Sequence, residues 1–174
     1  NMGIIGGSGW MGKAIAQALL EKSVLKPKQL WIANRSGYNP FAELYPELRC
    51  TTDIAELNRA CEVILLAVLP KQFTLLECSA PDKLFISIMA SVNCAAIHQK
   101  TQTSRIVRAM PNAAIPTGEA YTPWFALPTV SAQDKELVNA IFTACGEAVE
   151  VGREEDIDFL TGLTGSSHGW LAFV

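Results

Sequence analysis

The sequence predicts an α/β protein built on a doubly wound, mainly parallel sheet. Its 174 residues begin with a short apolar run at 2–5, which is followed by a glycine-rich turn and a helical pattern over 13–22. A second apolar run at 63–69 has the unbroken hydrophobicity of a strand that helices cover on both faces. Because such runs alternate with helical segments along the chain, we expect the strands to lie parallel.

The predicted elements alternate in order between strand and helix. After the first strand and helix, a second strand is expected at 30–34, and Pro40 is expected to start a short helix. Asp53 then caps a helix that runs through Arg59. Further strands are predicted at 62–69, 84–89, 105–110, 120–127 and 148–151, with helices after Pro70, near 95–99 and over 131–145, the last one capped by Gly146.

The turn after the first strand has the glycine spacing of a dinucleotide-binding loop. Glycines at this spacing let the chain turn tightly, bring backbone N–H groups close to a pyrophosphate, and pack the next helix against the sheet. The helix N-terminus adds partial positive charge for the phosphates. The strand before the turn and the helix after it favour a Rossmann-like cofactor site over a glycine turn without a ligand. The predicted cofactor contacts in this turn are Gly7, Ser8, Gly9, Trp10, Met11 and Gly12.

The residues at the end of the second predicted strand indicate which dinucleotide is bound. An Asp or Glu at this position would accept hydrogen bonds from an unphosphorylated ribose, but the sequence has Asn34, Arg35 and Ser36. A guanidinium beside small polar donors suits a 2′-phosphate, since arginine and phosphate form charge-assisted, often bidentate bonds. The sequence therefore favours NADPH over NADH, and an ordinary solvated turn is the alternative.

Composition excludes several other classes of function. The chain is 49% hydrophobic and 18% charged, has a net charge of −3, and lacks a basic block, which argues against nucleic acid as a partner. Its apolar runs are too short to cross a membrane. The five cysteines lack metal-ligand spacing, so no metal site is predicted. With no signal-like segment at the start of the sequence, we expect reduced thiols and a cytoplasmic location.

The pattern changes after residue 152. Acidic residues from Glu154 to Asp156 suit the first turn of a helix, and an apolar, small-residue stretch over 159–174 follows. We therefore divide the chain into a dinucleotide-binding domain at 1–152 and the start of a C-terminal helical domain at 153–174. Because the sequence stops while it is still apolar, we expect a longer natural chain whose further domain or partner covers this face.

Two segments give the sequence a family resemblance. Residues 108–112, Arg-Ala-Met-Pro-Asn, are followed by Gly118-Glu119 and resemble the MPN segment of pyrroline-5-carboxylate reductases. Residues 158–166 resemble the start of that family's substrate segment, D-x-x-T-x-L-S-G-S-G-P-A-Y. The resemblance covers essentially the whole chain. It implies a Rossmann-like domain followed by an α-helical dimerisation domain, and reduction of the cyclic imine 1-pyrroline-5-carboxylate to proline with NAD(P)H.

The resemblance also implies roles for individual residues. Further cofactor contacts are Ala67, Val68 and Pro70, with Met110, Pro111 and Asn112 at the nicotinamide end. The implied substrate contacts are Thr164, Gly165, Ser166 and Ser167. Thr164 and His168 are the candidate catalytic residues, although His168 also fits a packing role in a helix turn. The family forms dimers through its C-terminal helical region, so a homodimer or higher homo-oligomer is expected.

Two departures from the family pattern keep other functions open. The family's Gly-Pro-Ala-Tyr is replaced by residues 167–170, Ser-His-Gly-Trp, and its Lys-Pro-Gln by residues 69–72, Leu-Pro-Lys-Gln. The substrate could therefore be a related imine or carbonyl compound. The alternatives are a nucleotide-binding paralogue with a regulatory or interaction role, and a related NADP-linked reductase that acts on carbonyls or deazaflavins.

Overall fold

A computed structural model of the chain describes residues 1–165. Within these residues, eight strands form one sheet: β1 (Met2–Ile5), β2 (Leu30–Ala33), β3 (Arg49–Thr51), β4 (Val63–Leu66), β5 (Leu84–Ser87), β6 (Ile106–Ala109), β7 (Ala120–Ala126) and β8 (Gly146–Glu150). The same part of the chain contains six α-helices, which connect or follow the strands: α1 (Trp10–Glu21), α2 (Ile54–Ala60), α3 (Pro70–Phe73), α4 (Cys94–Thr101), α5 (Ala132–Thr143) and α6 (Glu155–Leu160). Residues 1–165 also contain 3₁₀ turns at Pro27–Gln29 and Ile115–Thr117 and a π-helical turn at Thr161–Gly165.

The sheet confirms the predicted fold class. Its strand order is β3-β2-β1-β4-β5-β6-β7-β8, and every neighbouring pair is parallel except β6 with β7, which is antiparallel. The chain order of the strands reverses direction between β1 and β4. In doubly wound sheets a ligand crevice opens at this reversal, outside the carboxyl ends of the strands.

Helices bury both faces of the sheet. On one face Ile4 and Ile32 pack with Ile15 and Leu19 of α1, in a core that also contains Phe142 of α5. The other face packs α2 and α4 against alternate residues of the same strands, including Ile5, Ile64, Phe85, Leu57 and Ile97. All four residues of β1, β2, β4, β5 and β6 are buried, as expected for parallel strands with covered faces.

Polar side chains cap the N-termini of α2, α4 and α5. The Asp53 carboxylate accepts a hydrogen bond from the Ala55 amide at 2.8 Å, as predicted. Asn93 accepts from the Ala96 amide at the start of α4. Ser131 accepts from the Asp134 amide at the start of α5. Each bond satisfies a backbone donor that has no partner inside its helix.

The prediction of a short helix at Pro40 is wrong. Residues 40–44 form turns, in which Asn39 accepts a hydrogen bond from the Phe41 amide at 2.8 Å and the Tyr45 amide donates to the Phe41 carbonyl at 2.7 Å. The turns do not extend into a helix, because Tyr45 precedes Pro46 and the residue before a proline avoids the α conformation.

The predicted end of the fifth helix is also wrong. α5 ends at Thr143 with Ala144 as its C-cap, and Gly146 begins β8 with a φ of +149°. A Cβ on Gly146 would overlap the backbone of Ala120 in β7. Gly146 is therefore explained by the close approach of β8 to β7. The sequence analysis also missed β3, whose three residues are too few to show a hydrophobic period.

Candidate functional site

A cleft of about 410 Å³ opens at the carboxyl ends of β1, β2 and β4, where the strand order reverses. It is formed by the turn after β1, the loop after β2, the start of α2, and the segment that leads from β4 into α3. Its lining residues are Ile5, Gly6, Ser8, Gly9, Ala33, Asn34, Arg35, Thr52, Ile54, Ala67, Val68, Gln72, Leu75 and Leu76. Six of the predicted cofactor contacts are among them: Ser8, Gly9, Asn34, Arg35, Ala67 and Val68.

Close backbone packing shapes the glycine turn. Gly6 has a φ of +88°, and a Cβ on it would lie 2.5 Å from the Ala67 carbonyl oxygen. A Cβ on Gly12 would lie 2.6 Å from the Gly6 carbonyl oxygen, and one on Gly7 would lie 2.9 Å from the Ile32 side chain. Gly7 and Gly12 therefore let α1 and β2 approach the turn and do not line the cleft. Gly6 was not in the predicted set, although its place directly after the apolar run was the available signal.

The N-terminus of α1 begins at this turn. Gly9 is its N-cap, and the Lys13 amide donates to the Gly9 carbonyl at 2.8 Å. Within residues 1–165 no side chain caps the helix, and its first turn carries no acidic residue. The amides at the start of α1 therefore present positive potential without a competing carboxylate. Trp10 is 59% exposed at the first position of α1, and Met11 packs partly against the core.

The polar residues in the loop after β2 differ in their contacts. The Asn34 side-chain oxygen accepts hydrogen bonds from the Ser36 amide, the Ser36 hydroxyl and the Tyr38 amide at 3.1–3.2 Å, and its nitrogen donates to the Tyr38 carbonyl at 2.7 Å. Asn34 and Ser36 therefore hold the loop in shape. Arg35 is exposed at the rim of the cleft and makes no hydrogen bond or ion pair with any residue of 1–165, so its charge is available to a ligand.

Apolar side chains line the wall of the cleft on the α2 and α3 side. Ile54 begins α2, while Leu75 and Leu76 follow α3, and Leu75 is 84% exposed. An exposed apolar wall beside a free guanidinium suits a flat aromatic ring attached to a phosphate. The sequence analysis predicted the helices at Asp53 and after Pro70 but did not identify these residues, because only the packing of α2 and α3 beside the turn brings them to the cleft.

The residues predicted for the nicotinamide end lie at the same edge of the sheet. Met110, Pro111 and Asn112 follow β6, which is separated from β4 by β5, and they lie outside the cleft lining. The Asn112 side-chain oxygen accepts from the Ala114 and Tyr121 amides at 3.2 and 3.3 Å. Asn112 therefore shapes the loop before β7 through this oxygen. Pro70 begins α3 and also lies outside the cleft lining.

The predicted substrate segment is only partly described. Thr164 lies in the π-helical turn that continues α6, and its hydroxyl donates to the Leu160 carbonyl at 2.9 Å. Gly165 is the last residue of this turn. The other predicted residues, Ser166, Ser167 and His168, lie outside the described residues.

A buried arginine joins the start of α6 to the sheet. Arg108 of β6 donates from Nη1 to Glu154 and from Nη2 to Asp158, both at 3.0 Å. The same Glu154 oxygen accepts from the Cys94 amide at 2.7 Å, so it also contacts the start of α4. Burial lowers the pKa of Arg108, but the hydrogen bonds to Asp158 and Glu154 outweigh it and raise the pKa overall. The sequence analysis noted Arg108 only as part of the MPN segment.

Several other kinds of site are absent from the described part of the chain. Residues 1–165 contain no group of three or more His, Cys, Asp or Glu side chains that could hold a metal ion. None of the described helices has the length and apolarity needed to cross a membrane. The five cysteines are free thiols, and burial raises the pKa of Cys61 and Cys78 to about 11.

The sequence matches a known protein family. Residues 1–91 match the family described as NADP oxidoreductase coenzyme F420-dependent. The chain belongs to this family. The sequence is also similar to pyrroline-5-carboxylate reductases from Thermus thermophilus and from a Synechocystis species, at 32% identity in each case, over 97% and 99% of the chain. The predicted resemblance to pyrroline-5-carboxylate reductases is thus confirmed.

Two solved structures with pyrroline carboxylate reductase in their names have the same fold. A pyrroline-5-carboxylate reductase from Coxiella burnetii superimposes with a TM-score of 0.89 at 27% identity, covering 99% of the chain and 66% of that structure. The pyrroline carboxylate reductase of Plasmodium falciparum with NADP bound has a TM-score of 0.83 at 28% identity, covering 99% of the chain and 65% of that structure. The chain spans 65% and 66% of the lengths of the Thermus and Synechocystis relatives.

Proposed function

We propose that the chain binds NADPH in the cleft after β1 and forms the cofactor-binding part of a reductase that converts 1-pyrroline-5-carboxylate to proline. The observation that carries this proposal is the cleft itself. Its glycine turn, uncapped helix N-terminus and free Arg35 meet where the strand order reverses. The similarity to proteins named pyrroline-5-carboxylate reductase supports the choice of substrate.

The residues of the cleft fit the parts of NADPH. Gly6 and Gly12 have no room for a Cβ, and as glycines they allow the tight turn before α1. The amides at the start of α1 can then hold the pyrophosphate. Arg35 would pair with the 2′-phosphate, and Ile54, Leu75 and Leu76 would contact the adenine. Since no carboxylate lies at the end of β2 to bind a free ribose hydroxyl, we propose a preference for NADPH over NADH.

The reaction requires the cyclic imine to lie against the carboxyl edge of the sheet. Bound NADPH supplies the hydride that reduces the imine carbon. Met110 and Pro111 would flank the nicotinamide, and Asn112 keeps their loop in shape through its bonds to Ala114 and Tyr121. Thr164, Gly165, Ser166 and Ser167 stay our proposed substrate contacts, and contacts to the substrate carboxylate would bring the electrophilic carbon near the cofactor. Thr164 and His168 remain our candidates for donating the proton to the imine nitrogen.

Three broader features belong to the same proposal. We assign 1–152 to the NADP-binding domain and 153–174 to the start of a helical domain. We expect that region to form a homodimer or higher homo-oligomer, since Phe159 and Leu163 are largely exposed four residues apart. The five free thiols fit a reducing compartment, and we place the protein in the cytoplasm.

A substrate panel tests the proposal with the longest natural form of the protein. NADPH oxidation would be compared for 1-pyrroline-5-carboxylate, for 1-pyrroline without the carboxylate, and for an open-chain keto acid. We expect turnover with the first compound and much slower turnover with the other two. NADPH binding, followed by nicotinamide fluorescence, without turnover of any compound would instead favour the nucleotide-binding paralogue, which the altered residues 167–170 make the second candidate.

A further inference from the structure

The ion pairs of Arg108 connect three elements inside the protein. Arg108 lies in β6, between β5 and β7, and only 2% of its side chain is exposed. Its two terminal nitrogens contact different carboxylates, Glu154 just before α6 and Asp158 within α6. Glu154 also accepts from the Cys94 amide, which is the first residue of α4. One buried guanidinium therefore fixes the first turn of α6 against β6 and α4.

Arg108, Glu154 and Asp158 form a cluster that lies between two segments of the proposed site. Met110, at the proposed nicotinamide end, comes two residues after Arg108, while Thr164 of the proposed substrate segment comes six residues after Asp158. The cluster is thus a direct polar link between the strand that leads into the cofactor loop and the helix that leads into the substrate segment. A planar guanidinium holds two carboxylates in fixed directions, which a lysine ammonium could not do.

We propose that Arg108 is a positioning residue. Through Asp158 and Glu154 it sets the direction of α6, and with it the distance between the substrate segment and the nicotinamide. This inference rests on the proposed reductase function. Hydride transfer depends steeply on the distance and angle between donor and acceptor, and a misplacement of about 1 Å can cost roughly 100-fold in rate.

A second arginine–aspartate pair provides a matched control for the pair of Arg108 and Asp158. Arg105, three residues earlier, donates to Asp134 of α5 from Nη2 at 2.8 Å and from Nε at 3.2 Å. This pair also joins the β6 segment to a helix, but at the opposite end of the strand from the cofactor loop. Asp158→Asn and Asp134→Asn each remove one carboxylate charge from an arginine. Because the Asp158 side chain is 64% exposed, its replacement leaves the core intact.

The kinetic experiment compares both variants with the parent in the longest natural protein. For Asp158→Asn we expect unchanged NADPH affinity, a kcat with 1-pyrroline-5-carboxylate lowered by roughly 10-fold or more, and a larger isotope effect with NADPH deuterated at C4. Asp134→Asn should keep the NADPH affinity, the kcat and the isotope effect within about twofold of the parent, as expected of a pair remote from the site. A kcat for Asp158→Asn within that same twofold range, or equal losses in the two variants, would overturn the proposal.

Amide hydrogen exchange separates this inference from the proposed function. In Asp158→Asn the amides of 158–164 should exchange roughly two- to fivefold faster, since that is the range a partly exposed ion pair contributes. The amides of this segment should be unchanged in Asp134→Asn. Unchanged exchange in Asp158→Asn would refute the link even in an active reductase. Faster exchange in a protein without turnover would support the link while the reductase assignment fails.

Discussion

Arg35 gives the most direct test of cofactor preference. The variant Arg35→Ala removes an exposed guanidinium at the rim of the cleft that contacts no other residue of 1–165 through a hydrogen bond or ion pair. The protein's own structure should therefore tolerate the change, and the loss should fall on the ligand. The proposed partner is the 2′-phosphate, which NADPH has and NADH lacks.

The size of the effect follows from the exposure of Arg35. Two unit charges about 4 Å apart in water interact by about 1 kcal/mol, and a phosphate monoester carries roughly 1.5 to 2 negative charges near pH 7. The interaction is then about 1.5 to 2 kcal/mol, which corresponds to a roughly 10- to 30-fold loss of affinity. Salt screens exposed charges, so the loss should shrink as ionic strength rises.

The assay is a fluorescence titration of Arg35→Ala and the parent with NADPH and with NADH at low and high salt. We expect NADPH binding weakened roughly 10- to 30-fold and NADH binding within about twofold of the parent, because NADH lacks the 2′-phosphate whose charge gives this estimate. Arg59→Ala is the control, since it removes the same charge from an exposed side chain outside the cleft lining. Equal losses for both nucleotides, or an NADPH affinity equal to that of the parent, would refute the role assigned to Arg35.

Three further predictions concern packing, thiol reactivity and acid stability. Gly12→Val should lower the free energy of unfolding by about 1–3 kcal/mol and weaken NADPH binding, because a Cβ at this position would lie 2.6 Å from the Gly6 carbonyl oxygen. The control Gly152→Ala places its Cβ in open space and should unfold like the parent in urea. Cys61, Cys78, Cys94 and Cys145 should react with a thiol reagent only after unfolding, since they are buried and burial raises each thiol pKa to between about 11 and 12; fast labelling of these four in the native protein would contradict the packing. Burial raises the pKa of Asp134, but hydrogen bonds from Arg105 and Ser131 outweigh burial and hold the pKa in the folded protein below the usual 3.8. The ionised carboxylate therefore stabilises the fold above pH 3.8. This contribution is lost as the pH falls through the pKa of the folded protein. Asp134→Asn should therefore be less stable than the parent near neutral pH, by a margin that narrows below pH 3.8 in urea unfolding; a margin independent of pH would contradict this account.

Much of the fold could be predicted from local patterns. Strands buried on both faces have unbroken apolar runs, and Asp53 at a helix start has a recognised capping role, so both were found without the structure. The errors came where a longer-range contact decides the conformation. Gly146 looked like a helix cap, but the backbone of Ala120 in the neighbouring strand determines its role.

The position of the cleft was predictable where its lining residues belong to one short segment. Ser8, Gly9 and Arg35 line the cleft, as expected from the turn after β1 and the loop after β2, and their contacts with a cofactor stay predictions. Ile54 and Leu76 were missed, because only the folding of α2 and α3 brings them to the wall of the cleft. The link from Arg108 to Asp158 spans 50 residues, and no local pattern in the sequence indicates it.

The most direct test of the account is to measure NADPH consumption and proline formation together in the longest natural form of the protein. The account predicts that addition of 1-pyrroline-5-carboxylate starts NADPH oxidation and that one proline appears for each NADPH consumed. Tight NADPH binding with no proline formed would contradict the reductase assignment while leaving the cofactor cleft in place. Absence of NADPH binding would contradict the assignment of the cleft as the cofactor site.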